Sequence, residues 1–405
     1  MSFDFHASPP PGEWMNDPNG LAFQNGRYRL WAQHSEAAPG FREIGWGSWS
    51  SSDLLHWRWD GVAIPYNEGC SVYSGSIAAT ETGLVDAWFT RHDHSGNWQT
   101  QIHAVGPDWT QTSAKLPPEG RNCRDPFVFF SAATQDWVML VAEPCDWNDW
   151  ASEAASHLTV WRSTNRRSWL KKGTIGPWHP PGVMWEVPAL IEFGDVQALI
   201  VSLVDRRGGA THCSVRYWLG KFDGAEFRPE PDFCSDGILL DDGPDFYAAI
   251  PNLAFGWPDH ERVIVGWASS WATARSMTWP GGVHGGTSSL PRTITCQNGR
   301  LHQRPVGAAS VLKPFVRHWR PGEATAIEVC GSQARLTIKI EPDGLVAATR
   351  NADTPEPIWN SSRLLSLTNP TDIEVFVDCG LIETFFLTEG RVLTAYVPGG
   401  TTVTS

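Results

Sequence analysis

The chain has no Cys-x-x-Cys pair and no signal-like N-terminus, and each absence excludes a class of protein. Its eight cysteines are scattered, so the sequence predicts neither a zinc ribbon nor a dense disulfide scaffold. Free thiols in a reducing compartment are the expected state of these cysteines. The first residues, Met1–His6, have neither a basic start nor an apolar segment. We therefore expect no secretion signal, no membrane span and a cytoplasmic location, with secretion only if an upstream signal was removed.

Positive charge is also scarce. Lys and Arg number 31 against 44 Asp and Glu, which gives a formal net charge of −13. This balance gives no support to binding of nucleic acid or of an anionic membrane. His92 and His94 are two possible metal ligands, but no third ligand follows at a useful spacing, so we expect no metal ion there. Nothing in the sequence predicts the oligomeric state.

Tryptophan and turn-forming residues are abundant. The 405 residues include 23 Trp but only 6 Tyr, together with 38 Gly and 30 Pro. This mixture is typical of a turn-rich all-β protein, and the length allows one large and one small domain. Most of the indole rings are expected in the core, but some can serve as flat apolar surfaces for sugar rings.

A repeat defines the larger domain. Polar turns followed by an aromatic residue recur at intervals of roughly 50 to 60 residues, which is within the range of the longer propeller blades. The aromatic residues of this series are Trp57, Trp109, Trp169 and Phe227. The sequence therefore predicts a five-bladed β-propeller over residues 1–303.

A second series runs in step with the first. Its members are Asp17, Ser74–Ser76, Asp125, Glu186 and Asp245. The first strand of each propeller blade lines the central channel, so we expect these positions to converge at one mouth of the channel although they are far apart in sequence. Convergence of several acids is what a catalytic site requires.

The C-terminal part has a different pattern. After a connection over residues 304–322, apolar and polar residues alternate in Ala334–Ile340 and in Ile373–Asp378, and less regularly in Ile382–Phe386. Period-two alternation indicates half-buried strands. We predict a β-sandwich over residues 323–405.

Three short motifs each set an acid close to a proline and an aromatic residue. They are Trp14–Gly20, Arg124–Phe127 and Trp185–Pro188. Asp-Pro-Asn-Gly within the first motif predicts a rigid turn that fixes the direction of the Asp17 carboxylate. A lone Asp-Pro is usually only a turn, and a lone Glu is more often a solvated strand residue, so the functional interpretation depends on the three motifs occurring together.

In this order, the three motifs resemble those of glycoside hydrolase family 32, which contains invertases, levanases and inulinases. Lesser signatures of that family are matched by Gly45–Gly47, Ser52–Trp57, Ser74–Ser76, Asp245–Ala248, Gly266–Trp267 and Leu290–Arg292. The resemblance covers most of the chain, and it implies a five-bladed propeller followed by a β-sandwich, in agreement with the repeats.

The resemblance also implies roles for the acids. Cleavage of a fructosyl bond with retention needs a carboxylate nucleophile and a protonated acid about 5 to 5.5 Å apart. Asp17 would be the nucleophile, kept ionised by donors such as Asn16. Glu186 would be the acid/base, its pKa raised by apolar neighbours such as Trp185. Asp125 would bind fructose hydroxyls and stabilise the transition state, and Arg124 would orient it while donating to the sugar.

Further residues match sugar-contacting positions of the family. Gln33, Trp46 and Ser74 would contact the sugar, with a core role as the alternative for Trp46. Asp241 and Asp245 would line the leaving-group side, with a structural turn equally open for Asp241. The chain departs from the family after the acid/base, where Val187 and Ala189 replace the common Cys and Asp.

The expected function is a retaining β-fructofuranosidase that hydrolyses sucrose or short fructo-oligosaccharides through a covalent fructosyl-enzyme, without metal or cofactor. An exo-levanase or inulinase, a fructosyltransferase and a catalytically weak fructan-binding protein are the alternatives. A propeller enzyme acting on arabinan or xylan also uses three acids, but Trp14–Gly20 disfavours it.

Overall fold

The computed structural model is all-β. It describes residues 3–37, 40–79, 85–106, 108–144, 154–207, 211–233, 236–253, 255–275, 279–332, 334–352, 361–398 and 402–404. Within these ranges the only helices are three short 3-10 segments, Pro258–His260, Pro280–Gly282 and Gly307–Leu312. No helix in the described part of the chain is long and apolar enough to cross a membrane.

The first twenty-one strands form five antiparallel sheets, each built from strands that follow one another in sequence. These are sheet 1 (β1–β4), sheet 2 (β5–β8), sheet 3 (β9–β12), sheet 4 (β13–β17) and sheet 5 (β18–β21). The strands are β1 (Trp14–Gln24), β2 (Arg27–Ser35), β3 (Gly45–Ser51), β4 (Trp57–Ile64), β5 (Cys70–Ala79), β6 (Val85–Asp93), β7 (Trp98–Val105), β8 (Thr110–Gly120), β9 (Arg124–Ser131), β10 (Asp136–Glu143), β11 (His157–Ser163), β12 (Leu170–Ile175), β13 (Val183–Phe193), β14 (Val196–Asp205), β15 (His212–Phe222), β16 (Phe227–Pro229), β17 (Ile238–Leu239), β18 (Tyr247–Pro251), β19 (Val263–Trp267), β20 (Arg292–Gln297) and β21 (Arg300–Pro305).

The first strands of the five sheets contact one another in a closed order. β1 contacts β5, β5 contacts β9, β9 contacts β13, β13 contacts β18, and β18 returns to β1. The repeated aromatic residues lie at the opposite side of the sheets, because Trp57 and Phe227 begin the fourth strands β4 and β16, and Trp109 and Trp169 directly precede β8 and β12. The two periodic series of the sequence therefore mark the inner and outer strands.

Each of the five inner strands contains a β-bulge near its start. The register shifts fall at Met15–Gly20, Val72–Gly75, Arg124–Phe127, Glu186–Ala189 and Tyr247–Ile250. In three of these bulges a residue other than glycine has a positive φ, namely Asp125 (62°), Val187 (46°) and Ala248 (51°). A bulge bends its strand and turns a side chain out of the regular alternation. The β-bulge therefore changes the direction of one side chain on each inner strand.

The prediction of a tight turn at Trp14–Gly20 is wrong. These residues lie in strand β1, and the turn-forming residues Asp17–Asn19 occupy its bulge. Proline donates no backbone hydrogen bond, and a bulge is one of the few places in a sheet that tolerates it. The turn-forming residues Asp17–Asn19 therefore bend strand β1 instead of forming a turn.

The remaining strands form two sheets. Sheet 6 has the order β22-β27-β28-β29 and sheet 7 the order β26-β25-β24-β23-β30. Their apolar faces share one core that includes Ile338, Val346, Val375 and Ile382. The strands are β22 (Phe315–Trp319), β23 (Thr325–Cys330), β24 (Ala334–Ile340), β25 (Leu345–Ala352), β26 (Ser361–Ser366), β27 (Thr371–Asp378), β28 (Leu381–Phe386), β29 (Arg391–Tyr396) and β30 (Thr402–Thr404).

The burial of these strands explains their sequence patterns. β24 alternates between buried and more accessible residues, as its sequence predicts. β28 is buried along its whole length because Phe386 packs between sheets 6 and 7 while Phe385 packs against the core of the first five sheets. Burial on both faces accounts for its looser alternation. Within the expected connection 304–322, strand β22 pairs with β27 and so belongs to sheet 6.

The cysteines of the described residues are free thiols, as expected. Cys123 and Cys213 are buried, and Cys70, Cys296, Cys330 and Cys379 are partly buried. Cys145 and Cys234 lie outside the described residues.

Candidate active site

A cavity of about 280 Å³ lies at the bulged ends of the inner strands, and all five of the first sheets contribute to it or to the segments around it. Its lining residues are Asp17, Gln33, Phe41, Tyr73, Ser74, His92, Asn97, Gln99, Arg121, Asn122, Arg124, Asp125, Glu186, Trp271 and Arg275. The three predicted acids thus reach one cavity from β1, β9 and β13. A concave site with a few convergent polar groups is typical of small-molecule binding.

Asp17 sits in a network of side-chain donors. The Ser74 hydroxyl donates to its Oδ2 at 2.7 Å, and Asn16 Nδ2 donates to its Oδ1 at 3.2 Å. Gln33 Nε2 donates to Ser74 Oγ at 2.7 Å, and Trp14 Nε1 donates to Asn16 Oδ1 at 2.8 Å. Each member fixes the next, so the direction of the carboxylate is set in advance.

Burial nevertheless opposes ionisation of Asp17. Burial of the carboxyl and the nearby charge of Glu186 raise its pKa to about 7, although the hydrogen bonds from Ser74 and Asn16 lower it. The expected donors are present, but they do not outweigh the loss of water around the charge. The raised pKa therefore favours a protonated Asp17 up to near-neutral pH.

Both carboxylate oxygens of Glu186 accept hydrogen bonds. Arg124 Nε donates to Oε1 at 3.0 Å, and the Tyr247 hydroxyl donates to Oε2 at 2.8 Å. Burial lowers the pKa of Arg124, but the charges of Glu186 and Asp125 outweigh it and raise the pKa above its ordinary value. The expected apolar neighbour Trp185 is directed elsewhere, because its ring stacks on Trp218 at 6.0 Å in a separate core.

Asp125 is bound at the junction of sheets 2, 3 and 4. The bulge amide of Val187 donates to Asp125 Oδ2 at 2.9 Å, and the Asp125 amide donates to Thr90 Oγ1 at 3.0 Å. Burial and the charge of Glu186 raise the pKa of Asp125 to about 8, against the opposing effect of Arg124. A raised pKa favours the protonated carboxyl, which can donate a hydrogen bond as well as accept one. The Val187 side chain, where the family commonly has Cys, is buried in the core.

Several residues of the site are not predicted by the sequence analysis. Tyr247 contacts Glu186 without lining the cavity; it lies within a segment that resembles the family, where the predicted residue is the acid Asp245. Phe41, Tyr73 and Trp271 form an aromatic wall, with ring centroids 5.5 Å apart for Phe41–Tyr73 and 5.3 Å apart for Phe41–Trp271. Phe41 and Trp271 lie between strands and outside every motif, so the sequence carried no signal for them.

His92 was considered only as a metal ligand, yet it forms part of the same wall. Its ring stacks on Tyr73 with centroids 4.8 Å apart and an interplanar angle of 8°. Burial and the neighbouring His94 and Arg124 lower the pKa of His92 to about 4. The imidazole is therefore neutral near pH 7 and adds a flat, uncharged surface to the cavity.

Trp46 is a core residue, so its prediction as a sugar contact is wrong. The ring is fully buried in the core that sheets 1 and 2 share, 5.9 Å from the ring of Phe89. Its Nε1 donates to the Tyr73 carbonyl at 3.1 Å. Trp46 supports the wall residue Tyr73 and does not line the cavity.

Asp241 and Asp245 do not line the cavity either, which corrects their prediction as leaving-group contacts. Asp241 is buried between sheets 5 and 6, where it accepts from Arg292 at 2.8 Å and from the Thr394 hydroxyl at 2.7 Å. Asp245 is fully buried, pairs with Arg350 of sheet 7 and accepts the Tyr396 amide at 2.8 Å. Both acids join the first five sheets to the last two.

A third acid belongs to the same interface. Glu383 of β28 accepts from Arg292 at 2.7 Å and contacts His6 Nε2 at 2.9 Å. His6 Nδ1 contacts Asp378 at 2.7 Å, and the amides of Asp4 and Phe5 donate to the same carboxylate. The N-terminal segment is therefore attached to sheet 6.

Comparison with known proteins defines the class. A model described as "Glycosyl hydrolases family 32 N-terminal domain" matches residues 6–305. The chain therefore belongs to glycoside hydrolase family 32.

Similar sequences include a sucrose-6-phosphate hydrolase of Escherichia coli, 30% identical over 76% of this chain, and an extracellular exo-inulinase of Aspergillus awamori, 30% identical over 66% of it. The chain spans about 65% and 57% of the lengths of these two relatives.

Solved structures show the same fold. The crystal structure of the Aspergillus awamori exo-inulinase aligns with a TM-score of 0.78 at 22% identity, covering 98% of this chain and 93% of that one. A β-fructofuranosidase from Schwanniomyces occidentalis, complexed with fructosyl-erythritol, aligns with a TM-score of 0.78 at 20% identity, covering 99% and 93%.

Proposed function

We propose that the protein is a retaining β-fructofuranosidase that hydrolyses sucrose or short fructo-oligosaccharides. The observation that carries this proposal is that Asp17, Asp125 and Glu186 line one small cavity although they come from three different sheets. Two carboxyl groups on one cavity are the minimum that retaining glycoside hydrolysis needs, and the third can bind the sugar.

The proposed mechanism assigns one task to each acid. Asp17 attacks the anomeric carbon of the fructosyl unit while Glu186 protonates the departing glycosidic oxygen. Glu186 then removes a proton from water, which attacks the covalent fructosyl-enzyme and releases fructose and Asp17. Asp125 binds fructose hydroxyls, and its bond from the Val187 amide holds it in place.

The hydrogen bonds to Glu186 support its assignment as the proton donor. Arg124 and Tyr247 hold one carboxylate oxygen each, so rotation of the carboxyl group is restricted. Precise placement of a proton donor beside the leaving oxygen contributes substantially to the rate. Arg124 and Tyr247 therefore act as positioning residues in the proposed reaction.

We also propose that sheets 1 to 5 are the blades of a five-bladed β-propeller over residues 1–303, and that the region 323–405 forms a β-sandwich with β22 as an additional strand. The closed order of contacts between the five inner strands supports the first assignment. The core shared by sheets 6 and 7 supports the second.

The proposal is tested by incubating the purified protein separately with sucrose, inulin and levan and resolving the products over time by chromatography. We expect free fructose from sucrose, initially in the β-configuration when followed by NMR. The Asp17→Asn variant is the matched control. Larger fructosides would indicate transfer, and faster release from inulin or levan an exo-acting fructanase. No release from any of the three, with binding retained, would contradict the hydrolase proposal in favour of a binding protein.

A further inference from the structure

The imidazole ring of His92 brings an unused hydrogen-bonding group to the cavity. The residue lies on β6, the second strand of sheet 2, and its partly buried side chain lines the cavity. Its Nδ1 is buried and has no hydrogen-bond partner in the described part of the chain. Its Nε2 is not enclosed in this way, so Nε2 is the ring nitrogen that a ligand in the cavity can reach.

Packing holds the His92 ring in place without using either nitrogen. The ring lies parallel to that of Tyr73, with centroids 4.8 Å apart and an interplanar angle of 8°. His103 is stacked in the same way on a tryptophan, at 4.4 Å and 7°, but its Nε2 also contacts Asp86 at 2.9 Å. His103 is therefore held by a carboxylate as well as by stacking, whereas the orientation of His92 is set by its ring contacts.

The burial of Nδ1 determines which nitrogen of His92 carries the proton. A proton on Nδ1 would be a buried donor without an acceptor, and such donors are rare in folded proteins. The neutral ring therefore carries its proton on Nε2. Burial and the charges of His94 and Arg124 lower the pKa of His92 to about 4, so the ring does not take up a second proton near pH 7. His92 thus presents one N–H donor and no charge to the cavity.

The place of His92 assigns this donor to one part of the substrate. The three acids reach the cavity from inner strands, whereas His92 lies one strand further out, on β6. The fructosyl unit of the proposed reaction lies among the three acids, so the donor faces the part of the substrate beyond it. Arg124, which is bound to Glu186, is also one of the charges that act on the His92 ring. Because Glu186 protonates the departing oxygen, His92 lies on the side of the leaving group.

We propose that His92 is a specificity residue whose Nε2–H donates a hydrogen bond to a hydroxyl oxygen of the leaving sugar. This inference rests on the proposed function and adds a residue that lies outside every motif of the sequence analysis. A leaving group without an oxygen at this position would leave the donor unpaired. A site that is built to bond a hydroxyl discriminates against an analogue that lacks it.

The first experiment measures kcat/KM for sucrose and for methyl β-fructofuranoside, whose leaving group, methanol, has no further hydroxyl. His92→Phe keeps a flat ring against Tyr73 but removes the donor. We expect it to lower kcat/KM for sucrose by about fivefold, the contribution of one neutral hydrogen bond, and to leave the value for the methyl fructoside unchanged.

Two further variants test which nitrogen donates. Nε2 lies one atom further from the backbone than Nδ1, so His92→Gln can place an amide donor near the position of Nε2, and His92→Asn near that of Nδ1. We expect His92→Gln to recover most of the loss on sucrose and His92→Asn to recover little. Recovery by His92→Asn alone would overturn the assignment of the donor to Nε2.

His94→Phe is the matched control. His94 directly follows β6, stacks on Tyr66 at 6.2 Å and lies outside the lining of the cavity. This variant should leave kcat/KM for both substrates unchanged. Equal losses on both substrates in His92→Phe would show that the ring serves the fructosyl unit or the structure, and would overturn the inference. No loss on either substrate would overturn it as well.

A second measurement needs no turnover, so it separates failure of this inference from failure of the proposed function. Nitrogen NMR of the histidine side chains shows which ring nitrogen carries the proton, and the spectrum of His92→Gln assigns the signal of His92. We expect the Nε2–H form near neutral pH, and a shift of the Nε2 signal when the Asp17→Asn variant is saturated with sucrose.

The outcomes of the NMR measurement are distinct. A shifted Nε2 signal without cleavage of sucrose by the wild type would sustain the contact with His92 and contradict the hydrolase. The Nδ1–H form, or bound sucrose that leaves the Nε2 signal unchanged, would overturn the role of His92 even if the wild type hydrolyses sucrose.

Discussion

Two groups of buried carboxylates occupy the molecule, and they differ in the cations that accompany them. The cavity acids are Asp17, Asp125 and Glu186, and the interface acids are Asp241, Asp245 and Glu383. Among the cavity acids, Glu186 is paired with an arginine, Arg124. Arg292 and Arg350 serve the three interface acids, and His6 adds a third basic group there.

The pKa values of the cavity acids Asp17 and Asp125 and of the interface acid Glu383 are shifted in opposite directions. Burial raises the pKa of Asp17 to about 7 and that of Asp125 to about 8. Burial also acts on Glu383, but Arg292 and His6 outweigh it and hold the pKa of Glu383 below its ordinary value. Asp241, Asp245 and Glu383 each pair with a buried arginine and are part of the structure, whereas Asp17 and Asp125 face the cavity without an ion pair of their own and are available for chemistry.

The largest expected effect is the loss of activity in Asp17→Asn. We expect hydrolysis of sucrose to fall by about 10³-fold or more, because the amide cannot form the covalent intermediate. The thermal midpoint should not fall, since the amide has nearly the same shape and cannot acquire the charge that burial disfavours at this position. Activity assays and melting curves of the same preparation check the loss of hydrolysis and the unchanged thermal midpoint. Retention of more than a few per cent of the activity would overturn the assignment of Asp17 as the nucleophile.

The same chemical change at the interface should have the opposite consequence. Asp245→Asn removes the negative charge that balances the fully buried Arg350, and we expect the free energy of unfolding to fall by about 3 to 5 kcal/mol. Urea denaturation followed by tryptophan fluorescence measures the loss. A variant with normal stability but without activity would show that Asp245 acts as a cavity acid and not as an interface acid.

A third substitution tests the acid within the cavity. Glu186→Gln should reduce the hydrolysis of sucrose by about 10²-fold or more, and that of an aryl fructoside with a good leaving group much less, because such a group departs without a proton. Kinetics on the two substrates provide the measurement. Equal losses on both would count against Glu186 as the proton donor.

The last expected effect is on the pH dependence of stability. Asp17 has an ordinary pKa of 3.8 and a folded-state pKa of about 7, so between these values the folded protein keeps a proton that the unfolded chain has released. Stability from this group is present at low pH and is lost as the pH rises from about 4 to 7. Asp17→Asn should therefore show a shallower fall of the thermal midpoint over this range. A slope identical to that of the wild type would contradict the raised pKa.

His6 adds a contribution of the same sign at higher pH. Burial lowers its pKa, but Asp378 and Glu383 outweigh burial and raise it from 6.5 to about 9. Its stabilising contribution is complete below pH 6.5 and is lost as the pH rises through about 9. The fall of the thermal midpoint above pH 7 should thus persist in Asp17→Asn.

The sequence predicted the cavity acids because each stands in a recognisable motif and all follow one repeat. Asp245 follows the same repeat, yet the repeat cannot show which way a side chain points. Its partner Arg350 is 105 positions away in another sheet, and the partner of Asp241, Arg292, is 51 positions away. Only the folded chain brings these pairs together, so the sequence offered no basis for separating interface acids from cavity acids.

Predictions from local sequence patterns were also wrong where contacts between distant residues determine the structure. The bulges exist only as mismatches between neighbouring strands, so a turn was predicted where β1 bends. Trp46 matched a family position, but its burial depends on Phe89 of the adjacent sheet. Tyr247 was within a quoted motif, and its contact with Glu186 depends on the bulges of both β13 and β18.

The attachment of the N-terminal segment to sheet 6 has a consequence for the order of folding. The His6 ring contacts Asp378, which is translated 372 residues later. During synthesis the first sheets can form as they emerge, since each is made from consecutive strands and domains generally fold from the N-terminus. The segment Asp4–His6 cannot take its final place until β27 and β28 have left the ribosome. A segment that is made before all seven sheets is thus among the last to be secured.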